Sequence, residues 1–510
     1  MSMLPQWAMD ALNILTQLLV LALGAAALAM IVMYIIDRAQ TADAVRRNYP
    51  LVGRFRNLFT TLGEFFRQYF FAMDREELPF NRAERDWVYR SAQGEGGTVP
   101  FGSTKPMDKA GTALFVNCAF PLLDDHAVAT EPLRIGPHAR HPYDAPSFFN
   151  ISGMSYGALS KPAVQALSRG AAKAGIWLNT GEGGLSPWHL EGGCDIVFQI
   201  GTAKYGVRNA AGGLDDQRLR DMADIDAVKM FELKLSQGAK PGKGGILPAE
   251  KVSAEVAEIR GIPVGEASIS PNRHPEFHDV DGLLDMIGHI REVTGKPVGL
   301  KAVIGAHGWI EDMCEAVTRR GTESAPDFFT IDSGDGGTGA APMALMDNVG
   351  LTIRESLPMV VDILERYGLR GRGRGIATGK LLLPGAVAWA LAAGADFVQC
   401  GRGFMFSLGC IQAMKCHRNT CPTGVTTHDK RLQRGLVVTD KAERVARYAD
   451  TIRSHVEMIA HSCGVAEPRQ LRRKHVRIVQ ENGRSLPMSV IDFMPPPDGR
   501  NRPGDMPSQP

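Results

Sequence analysis

Apolar residues fall along this chain in three regimes. The first is continuous. Residues 18–36 read LLVLALGAAALAMIVMYII without a charged side chain, and extended back to Ala11 the stretch reaches 26 residues. A helix of that length crosses a hydrocarbon core of about 30 Å. No Lys or Arg occurs in residues 1–36, whereas Arg38, Arg46, Arg47, Arg54 and Arg56 follow closely. The charge bias predicts a single-pass helix in the inner (cytoplasmic) membrane, with the bulk of the chain facing the cytoplasm. A cleaved signal peptide and a buried soluble helix are the competing readings, and the first lacks a basic leader. The second regime is aromatic. NLFTTLGEFFRQYFFAMDREELPF (57–80) carries Phe65, Phe66, Tyr69, Phe70 and Phe71, which suit either an amphipathic face on a bilayer or packing against the main domain.

The third regime starts near residue 147, where short β-branched runs end in glycine-rich segments and alternate with helical periods. Strands are expected at 148–154, 176–182, 229–235, 266–270, 298–303, 328–334, 374–378 and 396–401. The long gap at 183–228 reads as an insertion. Eight strand–helix units over this length predict an α/β fold, a (β/α)8 TIM barrel. An open doubly wound sheet is the alternative, but here polar glycine motifs follow nearly every strand. The expected organisation is a transmembrane anchor (1–40), a juxtamembrane helical region (41–145), the barrel (146–408), a cysteine loop with a C-terminal helical region (409–490) and a disordered Pro-rich tail (491–510).

Composition narrows the classes. With 44% hydrophobic and 22% charged residues, the chain is neither disordered, a coiled coil nor collagen-like. At 510 residues it exceeds one compact domain. A net charge of +2 gives no support to nucleic acid as a partner. A homo-oligomer is compatible with all of this. The 56 glycines, without a repeat period, suggest tight loops around a ligand.

Three of the eight cysteines cluster in GCIQAMKCHRNTCPTG, namely Cys410, Cys416 and Cys421. The spacing suits an iron–sulfur cluster. Zinc with His417 as fourth ligand, or unliganded thiols, remain open alternatives. RGIATGK (374–380) and QCGRGF (399–404) follow the last two strands, where TIM barrels commonly hold a phosphate. Gly379, Gly401 and Gly403 would let backbone N–H groups approach an anion, with Lys380 and Arg402 adding charge. A phosphate there, beside a redox cluster, points to flavin mononucleotide (FMN). Lys301, inside the apolar run VGLKAV, is costly unless paired and could balance the charge of a reduced flavin. Lys240 lies on the loop QGAKPGKGG and Arg260 closes the next helical pattern, and together they would suit a dicarboxylate.

These residues together resemble the flavin domain of glutamate synthase. The matching motifs are SGMSYGALS (152–160), LNTGEGG (178–184), QGAKPGKGG (237–245), ISP with His274, LKAV (300–303), DSGDGGTGAAP (332–342) and LGCIQAMKCHRNTCPTGV (408–425). The resemblance implies FMN in a TIM barrel and a 3Fe-4S cluster on Cys410, Cys416 and Cys421. It implies hydride transfer to an imine formed from 2-oxoglutarate and ammonia or an amine. Glu182, Gln237, Lys240 and Arg260 are then expected at the 2-oxoglutarate site. Ser155, Lys301, Gly379, Gly401 and Gly403 are expected to touch flavin, and Asp335, Gly336 and Gly337 to form a loop over the active site. Electrons would come from a donor such as ferredoxin or a reductase subunit. The family's large synthase begins with a glutaminase domain on an N-terminal Cys, but the first Cys here is Cys118, so ammonia is not expected from glutamine by that route. No nicotinamide-binding half is expected either. The family's acidic residue and Gln in the loop after the third expected strand appear as Lys243 and Ile246, and relatives that make N-methylglutamate widen the amine class. The rival readings are an oxidoreductase on another amine or oxo acid, and an electron-transfer or sensor subunit.

Overall fold

Asp37 organises the first of two compact units. The computed structural model describes residues 5–494, and its two units divide between Ala83 and Glu84. In the first, α1 (Gln6–Ala39) is a 34-residue helix, the one helix among the described residues long and apolar enough to cross a membrane. Near its C-terminal end the buried Asp37 carboxylate pairs with Arg46 at 2.6 Å and Arg54 at 2.8 Å, and accepts the Leu51 N–H at 3.1 Å. Those bonds fix the start of α2 (Gly53–Phe66), which continues as a π-helical turn over Arg67–Phe71.

The second unit is built on a closed parallel barrel. Its strands are β1 (Phe149–Ile151), β2 (Leu178–Asn179), β3 (Ile196–Ile200), β4 (Val228–Lys234), β5 (Val298–Val303), β6 (Phe328–Asp332), β7 (Arg374–Thr378) and β8 (Phe397–Cys400). β8 closes on β1 through Val398 opposite Phe149 and Cys400 opposite Ile151. Seven of these lie where the hydrophobic pattern expects strands. β3 does not, since it falls inside the segment read as an insertion. The strand expected at 266–270 lies outside the barrel, where Ser268–Ile269 pairs antiparallel with Ile246–Leu247. The excursion between β4 and β5 also holds the helix Ala254–Arg260, and because β3 adds a strand to the expected order, the 237–245 loop follows the fourth barrel strand, not the third.

Local signals set the helices that cover the barrel. In α3 (Lys161–Ala174) the Ser160 hydroxyl accepts the Ala163 N–H, Pro162 stands in the first turn and Gly175 ends the helix at φ 63°. α4 (Ala254–Arg260) is capped by Ser253 accepting from Val256 N–H. α5 (Val438–Ser462) packs along α3, so closely that a Cβ on Gly170 would lie 2.5 Å from Val445 Cβ.

Inside the barrel, side chains change character from one end to the other. At the N-terminal ends of the strands Trp177, Val197, Met230, Phe328, Ile376 and Phe397 form an apolar cluster with Ile135, Tyr143 and Ala145. The last three come from an antiparallel hairpin, Leu133–Ile135 with Tyr143–Ala145. Above this layer the fully buried Glu232 accepts from Asn179 Nδ2 at 2.9 Å, Gln199 Nε2 at 2.5 Å and Thr330 Oγ1 at 2.7 Å. Charged side chains crowd the C-terminal mouth. The Pro-rich segment 495–510 lies outside the described residues.

Candidate active site

β4 ends in Glu232 and Lys234, which share one side of the strand because successive side chains alternate. Lys234 Nζ stands 3.0 Å from Glu182 Oε2, on the 3-10 turn Gly181–Gly183 after β2. It also donates to Gln237 Oε1. Gln237 Nε2 in turn donates to Thr338 Oγ1 at 3.2 Å, tying the loop after β4 to the glycine loop after β6. The two loops touch along their backbones as well, through Ala239 N–H to Gly334 O at 2.8 Å. Glycine permits the approach on one further side, because a Cβ on Gly245 would meet Glu182 Oε1 at 2.3 Å.

The Glu182 turn and the loop after β4 line a small cleft open to solvent, whose charged lining is Glu182, Lys234, Lys240 and Lys243. Burial pulls the Lys240 ammonium down to about 8, with Glu182 opposing the shift and Lys234 and Lys243 adding to it. Burial would raise the Glu182 carboxyl, but Lys234, Lys240 and Arg260 outweigh it and hold it below its ordinary value. Arg260 is buried behind the cleft, not in its lining. It donates to Ser268 Oγ at 3.2 Å and to the Tyr156 carbonyl at 3.3 Å, and lies over the Tyr205 ring at 5.0 Å. Its Nε is buried without a partner.

The second group of expected residues gathers at the adjoining rim. Lys301 on β5 pairs with Asp332 on β6 at 3.2 Å, and Asp332 accepts the Gly238 N–H at 3.1 Å. Burial pushes Lys301 down, but Asp332 and Glu232 outweigh it and hold it above the ordinary lysine value. Asp335 joins Lys380 at 3.0 Å and accepts from Ser333 Oγ. Arg402 donates to the Thr338 carbonyl, and a Cβ on Gly337 would meet its Nε at 2.6 Å. Gly336 donates to Ser333 O at 2.9 Å in the same loop. Ser155 lies against the Glu182 turn, 2.7 Å from where a Cβ on Gly183 would stand. Gly379 has φ 104° and packs on Ser333, while a Cβ on Gly401 would meet nothing nearer than Met154 Sδ at 3.7 Å. Gly403 answers to packing: its N–H bonds Cys400 Sγ at 3.3 Å, and a Cβ there would meet Tyr448 Oη at 2.1 Å.

The three clustered cysteines share one loop. Burial raises the Cys410 thiol to about 11. Burial also acts to raise Cys421, but bonds from Thr423 and Thr426 outweigh it and leave it below its ordinary value. Lys251 Nζ donates to the Cys416 and Ala158 carbonyls, both at 2.9 Å. Among the described residues no three Cys, His, Asp or Glu side chains are grouped closely enough to hold a metal ion.

The conserved region in glutamate synthase matches residues 125–466, which contain the whole barrel and the cysteine loop. The chain belongs to the glutamate synthase family. A glutamate synthase large subunit-like protein of Bacillus subtilis is 40% identical over 490 residues, covering 88% of this chain and 93% of the relative. An archaeal-type glutamate synthase [NADPH] of Dehalococcoides mccartyi is 32% identical over 336 residues, covering 66% of this chain, which spans 63% of that relative. Among solved structures, a flavocytochrome b2 mutant with benzoylformate aligns at a TM-score of 0.46 and 14% identity, covering 79% of this chain and 80% of that one. Glutamate synthase relatives are oxidoreductases.

Several residues of this site escape the sequence motifs. Lys234 and Glu232 sit in what reads as a plain buried strand. Their shared parity is the available signal, since two opposite charges at i and i+2 of an apolar run point the same way. Gln399 is the other. It is buried on β8 with neither end of its amide partnered, and although it opens the QCGRGF segment, the glycines and Arg402 of that segment draw the reading.

Proposed function

We propose that this glutamate synthase relative reduces the imine of a 2-oxo dicarboxylate such as 2-oxoglutarate, formed with ammonia or an amine, and that its redox group is FMN. The charge of the cleft carries this reading. Three lysines, 234, 240 and 243, face one carboxylate, Glu182, so two positive charges remain for a substrate carrying two negative ones. Arg260, close behind the Glu182 turn, adds to the same field. An apolar rim would reject such a substrate.

The residues present fit a flavin at the adjoining rim. Gln399 offers a buried amide with both ends unpaired, and Lys301 a paired cation. These two would hold the ring, and Lys380 and Arg402 the phosphate. Bound FMN supplies two-electron transfer to the imine carbon. The chain's own part is to bind and orient the carboxylates through Lys234, Lys240 and Lys243, and to keep Glu182 ionised. Lys240 also holds a proton that it releases more readily than an ordinary lysine. Cys410, Cys416 and Cys421 are proposed as thiolates for a 3Fe-4S cluster served by a ferredoxin or reductase subunit. The described arrangement does not itself gather them into a metal site, and no step is assigned through it. α1 is proposed as a single membrane span with the barrel on the cytoplasmic side.

The test is anaerobic. Flavin is released and identified, then the chemically reduced protein is mixed with 2-oxoglutarate plus ammonia or methylamine while flavin reoxidation is followed. Charge-assisted bonds contribute roughly 1.5–3 kcal/mol, so Lys234→Met should raise the half-saturating oxo acid concentration by about 10- to 100-fold with flavin content unchanged. Reoxidation no faster with dicarboxylates than with pyruvate, or a Lys234→Met variant identical to the parent, would sink the proposal.

A further inference from the structure

We infer that the outer face of α2 is a lipid-docking surface that lies in the headgroup region of the bilayer entered by α1. The helix places Phe55, Leu58, Phe59, Leu62, Phe65 and Phe66 at intervals of three and four, so they form one stripe. A stripe of this kind normally faces a core. Here every member is exposed, Phe59 at 65% and Phe65 at 53%. The rings lie against one another, Phe55 to Phe59 at 6.3 Å and Phe65 to Tyr69 at 4.8 Å, which makes a continuous apolar surface. The opposite side of the helix is polar, with Asn57, Thr60 and Glu64. Arg56 and Arg67 stand on the shoulder between the two faces, where an interfacial helix presents cations to anionic headgroups.

Continuity with α1 identifies the occupant. The Asp37 carboxylate, two residues before the end of the membrane-length helix, is bonded to Arg54 in the first turn of α2 and to Arg46 just before it. The stripe therefore begins near the point where α1 reaches its polar end, and runs about 18 Å at 1.5 Å per residue. An apolar stripe leaving the rim of a span meets acyl chains, into which an interfacial helix sinks about 5–10 Å.

The full chain, reconstituted in phosphatidylglycerol-containing vesicles, provides the test. Phe66→Trp places a reporter on the stripe and Thr60→Trp places one on the opposite side. Each is compared in ordinary vesicles and in vesicles whose acyl chains are brominated near the headgroup, with the parent chain's emission subtracted. Emission from Phe66→Trp should fall at least about twofold in brominated lipid and that from Thr60→Trp should change little, as expected for an interfacial helix. Equal quenching of both reporters, or none at Phe66→Trp, would overturn the inference. In the second case the stripe is covered by protein, either the barrel or another copy of the chain.

Discussion

Lys240 makes the site sensitive to pH in a predictable direction. On the proposed function it holds a carboxylate only when protonated, and burial has brought its titration to about 8. Glu182 is held below the ordinary carboxylate range and Lys301 above the ordinary lysine value. Affinity for a dicarboxylate should therefore be flat below about 8 and fall above it, by up to about tenfold per pH unit. Half-saturating oxo acid concentration, measured across this range, reports it. Lys240→Gln should bind weakly at every pH and lose the inflection, and an unchanged inflection in that variant would assign the titration elsewhere. How much of this was legible follows from where each residue sits. Lys240, Glu182 and Gln237 announce themselves in polar glycine-rich segments. Lys234 and Glu232 are hidden in an apolar strand, where a charge normally has no place and only barrel closure supplies partners. Arg260 closes a helical pattern and so reads as a cation near the loop, but its burial behind the cleft against Ser268 and Tyr156 is set by tertiary packing.

At the scale of elements, close approach between α3 and α5 joins the barrel to its C-terminal helix. Gly170→Ala would drive a methyl to 2.5 Å from Val445 Cβ and 2.8 Å from the Ala442 carbonyl. Helix propensity favours alanine by about 1 kcal/mol, yet overpacking costs about 1–3 kcal/mol, so the variant should melt lower by a few degrees. A rise in melting temperature would mean that α5 shifts freely on α3. The same elements show why the barrel could be read while one strand of it could not. β5 and β6 are followed by the amphipathic helices Gly308–Arg320 and Ile353–Arg366, and β7 and β8 run into glycine-rich turns. β3 is followed by a long polar segment and the short, mostly polar helix Asp216–Ala223, which breaks the strand–helix rhythm. Ser268–Ile269 mimicked a barrel strand because Gly265 and Pro271 bracket it with the same turn signals. Its two residues pair only with Ile246–Leu247, too short a ladder to join the barrel.

The whole molecule couples a membrane-length helix to a catalytic barrel. The full chain should resist extraction from membranes by alkaline carbonate, and a form lacking residues 1–36 should be released by it. Release of the full chain would make α1 a peripheral element. A different constraint follows from the hairpin Leu133–Ile135 with Tyr143–Ala145. Its Ile135, Tyr143 and Ala145 interlock with Trp177, Met230 and Phe397 beneath the strands, so the barrel is a cup, not a pipe. Traffic is then one-sided. A companion subunit that made ammonia could not feed it up the axis, as a tunnel would. On the proposed function it would have to seat on the rim beside the lysine cleft and hand over its product there, in competition with the oxo acid for the same doorway.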